Sequence, residues 1–123
     1  MNSGFTASVN NFVSTGLVTL TDGPSTALRT RLVNAGTADL YFGAGSRTFI
    51  GTVAGITANP PGGLALMNLG THNALVTGGL FVNNGTVSNG TVTVDFNGLA
   101  KGAGFYANSP ITQNGGQFSP GNS

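Results

Sequence analysis

The stretch GGLFVNNGTVSNGTVTVD runs from Gly78 to Asp95 and alternates short apolar runs with Asn-Gly pairs. At its end Val92, Val94 and Phe96 fall on one side, with Thr91, Thr93 and Asp95 on the other. That two-residue period predicts a half-buried β-strand. Asn-Gly recurs at Asn84-Gly85, Asn89-Gly90, Asn97-Gly98 and Asn114-Gly115. The pair favours positive backbone φ, so each predicts a tight corner or a hairpin turn. Gly63-Leu64, Gly79-Leu80, Gly98-Leu99 and Gly116-Gln117 then mark steps of 16, 19 and 18 residues. Two or three short strands fill such a step, which is the length of one coil of a β-solenoid. A β-sandwich or jelly roll with a turn every roughly 8 to 12 residues accounts for the same corners.

Outward from this stretch the same texture continues. No segment holds a 3.6-residue apolar period free of Gly, Thr or Asn, so helices are not expected. Strands are expected over Asn11–Thr21, ending at Asp22-Gly23-Pro24, and over Thr26–Asn34, with Leu28 and Leu32 inward and Arg29 and Arg31 outward. Leu40–Phe42, Arg47–Val53 and Leu64–Met67 complete the first half, and Ala103, Phe105 and Ala107 alternate near the end. Gly55–Gly63 reads GITANPPGG, where adjacent prolines cannot continue a hydrogen-bonded ladder. The chain reads as one all-β domain over residues 1–123. A β subregion at 1–54 and a solenoid-like region at 62–123 are joined by the loop 55–61.

Composition narrows the chemistry. Of 123 residues, 21 are Gly, 16 Thr, 14 Asn and 9 Ser, against seven charged side chains and no Cys. A formal net charge of +1 is no nucleic-acid footprint, because phosphate binding draws on several clustered cations. No apolar run approaches the roughly 20 residues of a membrane-spanning helix. The opening residues Met1–Thr6 have neither the basic nor the apolar region of a signal peptide.

The carboxylates are Asp22, Asp39 and Asp95 alone. A glycosidase would need two of them poised in one groove. Asp22 and Asp39 read as corner residues and Asp95 as an outward strand residue. His72, without Cys or a nearby acid, is a poor metal site. No catalytic, cofactor-binding or metal site is expected, no cofactor is implied, and the protein is not expected to be an enzyme. Tyr41, Phe105 and Tyr106 could offer aromatic platforms to a sugar, or pack in the core or against a subunit. Arg29 and Arg31 are the densest basic feature and read as solvated or as contacts to a partner copy.

Gly78–Asp95 and the tail GGQFSPGNS, from Gly115 to Ser123, resemble the repetitive passenger regions of bacterial autotransporters and related exported surface proteins. The resemblance covers about residues 62–123. It implies a right-handed parallel β-helix and an exported adhesin, fibre or matrix component at the cell surface or outside the cell.

The function expected is therefore structural. The open end of a solenoid exposes a row of backbone donors and acceptors, which proteins usually cap or charge. No Lys, Arg, Asp or Glu follows Lys101. The expected partner is another copy of the chain, in a filament, fibre or surface matrix. The alternative is an adhesin or carbohydrate-binding module with a surface polysaccharide as partner.

Overall fold

The structure, a computed structural model, describes residues 5–21, 29–51 and 65–120. Fifteen short strands run in five coils of three. Coil 1 holds β1 (Thr6–Val9), β2 (Val13–Ser14) and β3 (Leu17–Leu20). Coil 2 holds β4 (Arg31–Asn34), β5 (Leu40–Phe42) and β6 (Arg47–Ile50). In coil 3 come β7 (Leu66–Asn68), β8 (Ala74–Val76) and β9 (Leu80–Asn83), and in coil 4 β10 (Thr86–Ser88), β11 (Val92–Asp95) and β12 (Leu99–Gly102). Coil 5 ends the stack with β13 (Phe105–Ala107), β14 (Ile111–Asn114) and β15 (Gln117–Pro120).

Each coil gives one strand to each of three five-stranded sheets. Sheet A is β1-β4-β7-β10-β13, sheet B β2-β5-β8-β11-β14, and sheet C β3-β6-β9-β12-β15. All neighbouring strands pair in parallel. Among the described residues the one antiparallel contact is an isolated bridge between Asp95 and Gly115. Hairpin-built sandwiches and jelly rolls need antiparallel neighbours, so the fold is a short parallel β-solenoid. The strands β1 to β6 stand in the same three sheets as β7 to β15.

The register explains the period. Leu80 pairs with Leu99, and Leu99 with Gln117, so the 19- and 18-residue steps are the lengths of single coils. The mark at Gly63-Leu64 and the loop 55–61 lie outside the described residues. Earlier coils are longer: Thr6 pairs with Arg31 and Arg31 with Leu66, steps of 25 and 35 residues. The Asn-Gly pairs serve as corners between parallel strands. Asn89 and Asn97 take φ of 60° and 66°, a left-handed conformation that Asn tolerates better than most residues.

Inside, the apolar side chains stack coil on coil. Phe42 in coil 2 meets Phe12 of coil 1 at 5.6 Å between ring centroids and Phe81 of coil 3 at 5.3 Å, edge to face. Buried asparagines satisfy the corners. Asn34 donates through Nδ2 to the Ala38 and Leu69 carbonyls at 2.9 and 3.2 Å. Asn83 donates to the Phe105 carbonyl at 2.9 Å and accepts the Gly85 N–H at 3.0 Å. Asn34 ties coil 2 to coil 3 and Asn83 ties the end of coil 3 to the start of coil 5, each removing an unpaired polar group from the interior.

Three local expectations change. Asn11–Thr21 is not one strand: Thr15-Gly16 turns the chain between β2 and β3, and Asn11 itself has φ of 61°. Phe96 does not join Val92 and Val94 inside. The strand stops at Asp95, where the Gly98 N–H closes a turn onto the Asp95 carbonyl at 2.9 Å, and Phe96 is left 71% exposed. Phe105 and Ala107 face solvent, and Tyr106 between them faces inward. Leu32 is buried as expected, whereas Leu28 lies outside the described residues.

Candidate assembly surfaces at the two ends of the stack

A solenoid covers its own strands except at its first and last coils. Among the described residues β1, β2 and β3 each pair on one side, with β4, β5 and β6. At the other end, among the described residues, β13, β14 and β15 pair with β10, β11 and β12. Among the described residues no strand covers the outer side of either coil.

The side chains at these ends share a pattern. In coil 1, Val9, Phe12 and Val18 pack half-buried against the core, one beside each sheet. In coil 5 the corresponding residues are Tyr106, Ile111 and Phe118, with the Tyr106 and Phe118 rings edge to face at 5.9 Å. Coil 1 also exposes Phe5, Val13 and Leu17 on its outer faces, at 54, 66 and 63%. The described residues of coils 1 and 5 include no charged side chain. Pro120 ends β15, so that edge lacks its last backbone donor. A shallow depression of about 310 Å³ between the last two coils is lined by Asn97, Gly98, Leu99, Gly115, Gly116 and Gln117, none of them charged.

Tyr106 is the most perturbed group at either end. Burial pushes its phenol up to about 12, with the Asn83 side chain pulling weakly the other way. Its hydroxyl lies near that amide without making a hydrogen bond of acceptable geometry. The neutral phenol is therefore the form the fold favours. An unfolded tyrosine ionises near about pH 10, so this contribution is whole below that pH and is lost as pH rises towards about 12. Unfolding free energies from urea titrations through this alkaline window should fall more steeply for the wild type than for Tyr106→Phe, by roughly 3 kcal/mol at most.

The remaining candidates are dispersed. Asp39 accepts the Asn73 N–H at 2.9 Å. Asp95 accepts from Thr77 Oγ1 and Asn114 Nδ2, both at 3.0 Å, and so links coils 3, 4 and 5. These acids occupy different corners, and Asp22 lies outside the described residues. His72 sits in the coil 3 corner, its N–H donating to the Leu69 carbonyl at 3.1 Å. Among the described residues no three His, Cys, Asp or Glu side chains gather as metal ligands would. Tyr41 stands on sheet B and Phe105 on sheet A, so with Tyr106 turned inward the three aromatics share no platform. Arg31 opens β4, and Arg29 precedes it with a guanidinium pKa lowered by burial and by the Arg31 charge. Arg47 lies over the Phe49 ring, 5.5 Å from its centroid.

Sequence reading missed the apolar triplets. Phe12, Val18, Ile111 and Phe118 are ordinary strand-like residues until the register shows which of them cap a column. Among the described residues no helix is long and apolar enough to cross a membrane. Comparisons of the chain with protein-family models, with curated proteins and with solved structures found no match. The fold alone defines the class, a short parallel β-solenoid.

Proposed function

We propose that this chain is a structural, self-assembling protein, a subunit of a filament, fibre or surface matrix outside the cell or at its surface. One observation carries the reading. Among the described residues no further strand pairs with the first or the last coil, and neither coil has a charged side chain. Proteins that must stay monomeric usually blunt such edges with charge, bulges or covering segments. The low overall charge works in the same direction, since weak mutual repulsion permits association. The setting outside the cell rests on the resemblance of residues 62–123 to exported passenger repeats. A non-catalytic role fits the separate corners of Asp39 and Asp95. Carbohydrate binding has less behind it, because the exposed aromatics Tyr41 and Phe105 stand on different sheets.

Light scattering across a concentration series, followed by electron microscopy, tests the proposal. Polymers that grow with concentration under mild conditions are expected. A monodisperse monomer at high concentration overturns it.

A further inference from the structure

We infer that this chain binds a neutral saccharide at the corner between sheets B and C, in the depression that coils 4 and 5 form beside Phe96. That corner is built differently in coil 4 than in its neighbours. Val76 pairs with Val94 and Leu80 with Leu99, so coil 3 takes three residues between these marks where coil 4 takes four. Coil 5 also takes three, between Gln113 and Gln117. Thr77-Gly78-Gly79 and Asn114-Gly115-Gly116 thus flank Asp95-Phe96-Asn97-Gly98. The additional residue sets Phe96, 71% exposed, between two corners made of glycine.

Close packing of the coils keeps this corner bare. A Cβ on Gly98 would run into the Val76 carbonyl oxygen, and one on Gly116 into the Asp95 carbonyl oxygen and the Val94 side chain. Both glycines line the hollow of about 310 Å³, with Asn97, Leu99, Gly115 and Gln117. Its floor is fixed before a ligand arrives. The Gly98 N–H donates to the Asp95 carbonyl at 2.9 Å, and the Gly98 carbonyl accepts the Gln117 N–H at 3.0 Å. Phe96 stands on the rim, since a Cβ on Gly115 would lie 3.5 Å from its Cα, Cβ and Cδ2.

These groups match the chemistry of a sugar ring. The faces of a pyranose carry C–H groups, which pack on the negative π-face of an aromatic side chain. Its hydroxyls both donate and accept, as do the amides of Asn97 and Gln117, two exposed residues. None of the six lining residues is charged, and the Asp95 carboxylate next to Phe96 repels an anionic chain. The ligand is therefore neutral. The hollow lies at the lower end of the roughly 300–1,000 Å³ typical of ligand sites, which suits a short stretch of a saccharide chain. Tyr41 of coil 2 and Phe105 on sheet A line no part of it. The site belongs to a single chain, so it stands whether that chain is a monomer or part of a polymer.

A reporter placed on the rim tests the site. The chain has no Trp, so Phe96→Trp introduces a single fluorophore that still offers a stacking face. Its emission is followed during titration with cellohexaose, mannohexaose and chitohexaose, with oligogalacturonate as the anionic comparator. Calorimetry then gives the affinities of wild type, Phe96→Ala, Asn97→Gly and Gln117→Ala. Glycine at position 97 removes the amide while suiting the φ of 66° found there. Tyr41→Ala and Phe105→Ala are the controls on other faces. Should Phe96→Ala melt early, Phe96→Leu, which keeps bulk without the π-face, replaces it.

The expected result is a blue shift with at least one neutral oligosaccharide and none with oligogalacturonate. Phe96→Ala, Asn97→Gly and Gln117→Ala should each weaken binding roughly three- to tenfold. The two control variants should bind as the wild type does. Affinity that survives Phe96→Ala but falls with Tyr41→Ala or Phe105→Ala puts the ligand elsewhere and overturns the inference. Tighter binding of oligogalacturonate than of the neutral chains overturns it too. So does the absence of both shift and heat with every neutral chain at its highest soluble concentration.

Discussion

Replacing Phe42 with alanine is expected to cost about 3–5 kcal/mol of stability, the usual range for deleting a fully buried aromatic ring. The side chain has no exposed surface and bridges three coils through Phe12 and Phe81. The nearest replacement atoms would have to come from neighbouring coils, which the ladders of sheets B and C hold at fixed spacing. A cavity at that level also weakens the coupling between coil 1 and the rest. In a stack where each unit touches only its neighbours, that loss is local as well as global. Urea denaturation should show the drop in midpoint, and hydrogen exchange should show Thr6–Leu20 opening ahead of coils 3 and 4. Phe118→Ala, in the half-buried end coil, is the comparison. A cost for Phe42→Ala no larger than for Phe118→Ala would mean that the rings do not bind the coils together.

The second large effect is expected at Gly102, where alanine should cost about 2–6 kcal/mol. The residue has φ of 121°, a conformation that side chains rarely take. A Cβ there meets the backbone of Asn83 in the coil below, its carbonyl oxygen closest, with the carbonyl carbon and nitrogen at 2.6 and 2.7 Å. Backbone cannot rotate away as a side-chain tip can, so the coils must part at this corner. Gly16 is the control, with φ outside the left-handed range and nothing within 4 Å of the point where an alanine methyl would stand. Gly16→Ala should be neutral, or stabilising by about 0.4–1 kcal/mol through the unfolded chain. Thermal melts of the two variants side by side decide the matter, and equal melting temperatures would contradict the close-approach account.

Much of this architecture was legible because the later coils repeat with little interruption. Gly79-Leu80, Gly98-Leu99 and Gly116-Gln117 mark equivalent points on successive coils, and the register pairs Leu80, Leu99 and Gln117 directly. Coils 1 and 2 hid the period, since residues 21–30 and 51–65 lengthen their steps. Facing was harder to read than spacing. Alternation continued past Asp95 puts Phe96 inside, but a corner resets the phase and the strand ends first. Near the end, Ala103, Phe105 and Ala107 alternate without showing which face is inward, and the partners of β13 turn Tyr106 inward. The assembly surfaces depend on long-range register, so single-strand patterns cannot reveal them.

Both long connections, 21–30 and 51–65, run from sheet C to sheet A. The corners from A to B and from B to C are kept short in every coil. Additional length has therefore entered the chain along a single seam. Lengthening a connection between two fixed strand ends adds only a logarithmic entropy cost, roughly 0.6 kcal/mol for each doubling. Foreign peptide spliced into this seam would leave every register column intact, making it the natural place to hang an epitope, an enzyme or a dye.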